Sequence, residues 1–130
     1  MVGSEDEGRP WVRSGKVRAR LREGGGVELR VDGLTTQTKY YKPLVREFFR
    51  KTFQDVRPRW GDFEVHIRME FMGDPPWMDL DNLAKALLDS ACGAVFHDDS
   101  QVSRLLVERV QGDREGVWMK VSPACQTPQG

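Results

Sequence analysis

Between Asp62 and Phe71 the chain alternates without a break: Phe63, Val65, Ile67, Met69 and Phe71 are apolar, and Asp62, Glu64, His66, Arg68 and Glu70 are polar. A period of two predicts a half-buried strand, and its length and apolar face place it inside a sheet. The period changes after the rigid Gly73 to Pro76 turn. From there Leu80, Leu83, Ala84, Leu87, Leu88 and Ala91 fall in one arc at about 100° per residue, with Asp81, Asn82, Lys85 and Asp89 opposite. This predicts an amphipathic helix whose apolar arc rests on a core while Asp81, Lys85 and Asp89 look outward.

The remaining segments follow the same two periods. Val17, Ala19 and Leu21 alternate with Lys16, Arg18, Arg20 and Arg22, E-G-G-G turns the chain, and Val27, Leu29 and Val31 line a second strand. A hairpin with one basic face is expected. Thr35 or Thr38 is placed to cap a helix over roughly Lys39 to Phe53, with Tyr41, Leu44, Val45, Phe48, Phe49 and Phe53 buried and Lys42, Arg46, Arg50 and Lys51 on a cationic side. Val102 to Val110 reads as a strand, Gly112 to Gly116 as a turn, and Val117, Met119 and Val121 as the returning partner of a hairpin. The predicted fold class is α+β, one mixed β-sheet with two α-helices packed on it. Residues 1–10 and 123–130 lack periodicity and are expected to be disordered, leaving a single domain over residues 11–122.

Composition adds limits. A chain of 130 residues is one domain's worth. No apolar run approaches the roughly 20 residues of a membrane span, and the first residues carry no apolar signal region, so a cytoplasmic location is expected. Cys92 and Cys125 have no partner at metal-ligand spacing and read as free thiols. The formal net charge of zero conceals an asymmetry: residues 1–60 carry 14 Lys and Arg against 8 Asp and Glu, and residues 61–130 carry 6 against 12. A basic surface around an acidic hole is compatible with that balance.

Candidate chemistry concentrates between Trp77 and Val102, which holds Asp79, Asp81, Asp89, Asp98 and Asp99. Asp79 and Asp81 stand at the helix start, where free N–H groups favour a carboxylate. If the turn after Gly93 folds Ala94 to Phe96 back along the helix, the two acidic groups meet at one end. Converging carboxylates repel unless a cation sits among them, and hard oxygen ligands suit Mg2+ or Mn2+. On the predicted hairpin, Lys16, Arg18, Arg20 and Arg22 read either as cations laid along phosphates or as a solvated edge that deters aggregation. His66 reads as a surface histidine before a catalytic one, His97 as a surface histidine before a nitrogen ligand, Asn82 as a ligand-orienting or capping amide, and Asp89 as an outlying ligand or the i+4 partner of Lys85.

The pattern D79-x-D81-N82-x-x-K85-x-x-x-D89, followed by D98-D99-S100-Q101-V102, resembles the signature of the RusA-type Holliday junction resolvases, over Asp62 to Ser122. The resemblance implies a homodimeric nuclease that binds four-way DNA junctions and nicks opposing strands with Mg2+, or with Mn2+ in its place, during recombination and repair. It further implies that Asp79, Asp81 and Asp99 bind metal with Asp98 assisting, and that Lys85 is the basic catalytic residue. Upstream the likeness fades: where the family has a Pro-rich, Asn-containing loop, Val27 to Val31 runs into D-G-L-T-T-Q-T-K. Carboxylate-held metal supplies an acidified water, and Lys85 would steady the scissile phosphate. A nuclease for flaps or other branched DNA, and a binding module with a structural metal, are the alternatives. A two-fold symmetric junction calls for a symmetric dimer, for which Trp11, Trp60 and Trp118 are candidate anchors.

Overall fold

The computed structural model describes residues 9–124. The expectations for residues 1–8 and 125–130, including Cys125, lie outside the described residues. Six strands form one sheet: β1 Val12–Ser14, β2 Val17–Leu21, β3 Val27–Asp32, β4 Phe63–Phe71, β5 Val102–Gln111 and β6 Gly116–Pro123, with α1 Tyr41–Lys51 and α2 Leu80–Ala91 as its helices. Their spatial order is β1-β2-β3-β6-β4-β5. Only β4 and β5 pair in parallel. The α+β class expected from the pattern, one mixed sheet carrying two helices, is therefore what the chain adopts.

The alternation in β4 sets the core. Ile67 and Met69 are completely buried with Leu29, Met119, Val45, Leu83 and Leu87, so both helices lie on one face of the sheet. Each such leucine contributes roughly 2 kcal/mol by leaving water. The first helix is shorter than its periodicity suggests. A 3-10 turn at Thr38–Tyr40 precedes α1, and neither helix start is capped by a threonine side chain. Instead Thr35 N donates to the hydroxyl of buried Tyr41 at 3.1 Å. Pro43 fits the first turn of α1, where its missing N–H has no intrahelical partner to lose.

The expected hairpin between the last two strands does not form. β4 lies between β5 and β6, pairing Val65 with Leu105 on one side and with Val121 on the other. Gly112 N donates to Phe71 O, so the chain leaves β5 past the end of β4 and returns on its far side. The burial of both strands accounts for this: Val117, Met119 and Val121 are fully buried, as an interior strand requires, while Leu105 and Leu106 of β5 are exposed. Gly116 makes the return possible, because a Cβ there would stand 2.7 Å from Val31 O. β6 also reaches Pro123, one residue past the expected limit, and Ala124 N donates to Asp62 O at 2.8 Å.

The helix-free face is closed by charge. Arg30 is 4% exposed and meets Glu70 at 2.6 Å, and Arg68 stacks on Trp118 at 4.7 Å. Burial pushes the Glu28 carboxyl up, but hydrogen bonds from Trp118, Arg20 and Arg22 outweigh it and hold Glu28 below its usual range. Among the described residues no helix is long and apolar enough to cross a membrane.

Candidate nucleic-acid interface and metal centre

Helix α2 runs back along β4 and delivers the chain to β5, which lies parallel to β4. A parallel crossover of this kind carries whatever precedes the helix to one end of the sheet and whatever follows it to the other. Asp79 is the N-cap of α2: its Oδ1 accepts from Asp81 N at 2.9 Å and its Oδ2 from Asn82 Nδ2 at 3.3 Å. Asp81 is exposed in the first turn. Lys85 projects one turn later, and no ion pair among the described residues engages Asp81 or Lys85.

The second acidic group sits past the other end. Ala94 N and Val95 N both donate to Ala91 O, and Gly93 N donates to Phe96 O at 2.7 Å, which pins the segment beneath the helix terminus. Asp98 caps a single 3-10 turn, Asp99–Gln101, in a capping box with Gln101. Hydrogen bonds from Ser100 hold the Asp98 carboxyl below its usual range. Asp99 stands beside Cys92, whose thiol is pushed up by burial and then by Asp99, Asp98 and Asp89. Asp99 itself has no ion pair among the described residues.

The expected meeting of both groups at one end therefore does not occur within the chain. Twelve helical residues, about 18 Å at 1.5 Å each, separate the caps of α2. Among the described residues no three His, Cys, Asp or Glu side chains gather where they would hold a metal ion. The turn after Gly93 stays at the helix terminus because two of its N–H groups, Ala94 and Val95, share the free carbonyl of Ala91 at the end of α2.

Other candidates fall into place around this axis. Asp89 pairs with Lys42 of α1 at 3.5 Å and not with Lys85, and its carbonyl accepts from Arg46 at 3.1 Å. Asn82 is accounted for by Asp79. His66 lies on the helix-free face, 2.6 Å from Glu108 and edge-on to Trp118, away from both acidic groups. His97 stacks on Trp60. On β2, Arg20 is 8% exposed and shares Glu28 with Arg22, while Arg18 and Arg20 lie over Trp11. The strand thus presents fewer outward cations than its alternation promises; Lys16 is exposed.

Two grooves that flank α2 were not anticipated. One of about 330 Å³ gathers Lys39, Lys42 and Lys85 with Asn82 near the Asp81 end. The other, about 470 Å³, gathers Arg46, Arg50 and Arg57 near Cys92 and the Asp99 end. The cationic side read for α1 was the signal, but only packing shows that it borders both ends. Gln101, read from the sequence only as part of the signature, has a role that was not anticipated. It is 8% exposed, its Nε2 donates to Arg59 O and Gly61 O, and its Oε1 accepts from His97 N and Asp98 N. The D-x-x-Q spacing of a capping box was the available clue.

The model of a family described as endodeoxyribonuclease RusA matches residues 10–122. No curated protein matches the chain.

Proposed function

The chain belongs to the RusA family of endodeoxyribonucleases; we propose that it is a nuclease of branched DNA that resolves Holliday junctions by paired nicks, as a Mg2+-dependent homodimer acting in recombination and repair. One observation supports the dimeric form above others. Asp79 and Asp81 stand at one end of α2, Asp98 and Asp99 at the other, and each end alone has two of the four candidate carboxylates. Two copies related by a two-fold axis across the middle of α2 would set the Asp79 and Asp81 of each against the Asp98 and Asp99 of the other. Edge strand β5, ten residues long beside α2 with Leu105 and Leu106 exposed, is the surface that such pairing would cover.

The donor chemistry fits a hard divalent cation, since carboxylate oxygens dominate both ends. Asp81 and Asp99 would hold it, with Asp79 and Asp98 beside them; each of these two also fixes its own turn through a backbone N–H. Such a cation, when bound, supplies an acidified water and offsets negative charge. The chain's own residues do the rest. Lys85 faces the same side as Asp81 and meets the charge that grows on a phosphate oxygen. Lys39, Lys42, Arg46, Arg50 and Arg57 line the grooves along which the sugar-phosphate backbone lies. Lys16 and the outer parts of Arg18 and Arg22 belong to the opposite, helix-free face and offer a second set of phosphate contacts there, with Arg20 and Arg22 both held by Glu28.

Mixing two inactive variants tests the reading. Asp81→Asn and Asp99→Asn should each abolish Mg2+-dependent cleavage of a four-way junction. Refolded together, they place both defects in one site of the mixed dimer and none in the other, restoring about a quarter of the nicking sites. Continued silence of the mixture, with dimers present, argues for sites built within single chains. No cleavage of junctions or flaps by the unaltered protein would leave a binding module.

A further inference from the structure

We infer that Trp60 and His97 form a stacking platform for an unpaired nucleobase of the DNA substrate, beside the Asp98–Asp99 half of the site. The two rings lie parallel, with centroids 4.1 Å apart and an interplanar angle of 15°, and the indole remains 73% exposed. Exposed indoles usually find cover by collapsing onto the surface. Trp60 is denied that freedom: Gln101 binds Arg59 O at 2.9 Å and Gly61 O at 2.8 Å, gripping the backbone on both sides of it. The same amide accepts from His97 N at 2.8 Å and Asp98 N at 3.0 Å. Arg59 N also donates to Val95 O. One buried side chain therefore locks the outer face of an aromatic pair to the turn that carries Asp99.

A flat π-surface held open in this way suits a ring of its own kind. Every base has such a face, and stacking tolerates any sequence, as a structure-selective nuclease needs. Fully paired duplex hides those faces, whereas a branch point exposes them at low cost. Of the other candidate anchors, Trp11 is covered by Arg18 and Arg20, and Trp118 by Arg68. The platform rests on the nuclease reading above, and contributes to it a means of choosing and holding the strand to be cut.

A four-way junction with 2-aminopurine at the branch point, bound in Ca2+ so that no strand is cut, provides the test. The unaltered protein should change the probe's fluorescence, and Trp60→Ala should remove that change and weaken junction binding by roughly tenfold or more, with duplex binding unmoved. Trp60→Phe should restore most of both, and His97→Ala should lie between. An unchanged probe signal in a folded, junction-binding Trp60→Ala protein overturns the platform and leaves the nuclease reading intact. A shift of Trp60→Ala to monomer in sedimentation, with the probe signal retained per dimer, assigns the indole to a subunit contact and also overturns it. Failure of the unaltered protein to bind any branched DNA removes both readings together.

Discussion

The two ends of α2 are built alike in chemistry and unlike in support. At each, one aspartate accepts a backbone N–H, and its neighbour has no ion pair among the described residues: Asp79 with Asp81, Asp98 with Asp99. Behind the second pair stands Gln101 with all its donors and acceptors engaged. Ahead of the first runs an exposed stretch from Met72 to Pro75, and Trp77 is 93% exposed. The contrast teaches that the two proposed half-sites present the same pair of carboxylates from unlike surroundings: one is fastened by the four side-chain hydrogen bonds of Gln101, and the other follows an exposed turn and rests on its own helix cap.

Three perturbations probe that difference. The largest effect should be common to both ends: Asp81→Asn and Asp99→Asn should each abolish junction cleavage, a loss of at least about a hundredfold, while unfolding curves stay near those of the unaltered protein. A loss confined to one of them would break the equivalence. Next comes Gln101→Ala, which removes four hydrogen bonds to the backbone of Arg59, Gly61, His97 and Asp98; a stability loss of about 3 kcal/mol is expected in urea titration. Little change there would mean that the turn is held by other means. Smallest is the pair of caps, Asp79→Ala and Asp98→Ala, each expected to cost about 1 kcal/mol. Amide exchange should show the Asp79 change loosening only the start of α2, and the Asp98 change loosening the residues around Trp60 as well.

Much of this was legible in the sequence, for identifiable reasons. The strict alternation of Phe63 to Phe71 and the apolar arc of α2 report local periods, and both segments adopt them. Asp79 and Asp98 stand just ahead of helical turns, as capping residues do. What the periods do not encode is which strand lies beside which. Val102 to Val110 and Val117 to Val121 read as hairpin partners because a glycine-containing turn joins them; burial of both flanks of β6 placed β4 between them. That error concealed the second one. Had β4, α2 and β5 been read as a parallel crossover, the acidic groups would have been assigned to opposite ends. The pairing of Arg20 with Glu28 depends likewise on register, in which the two residues are direct cross-strand neighbours. β1 was missed because three residues are too few to show a period.

The length of α2 has one more consequence. In a two-fold pair of the kind proposed, both cutting centres would lie on the same stack of helical turns, about 18 Å apart. The helix would then act as a calliper, translating a count of twelve residues into the offset between paired nicks. Adding or deleting one turn would reset that stagger without touching a single ligand.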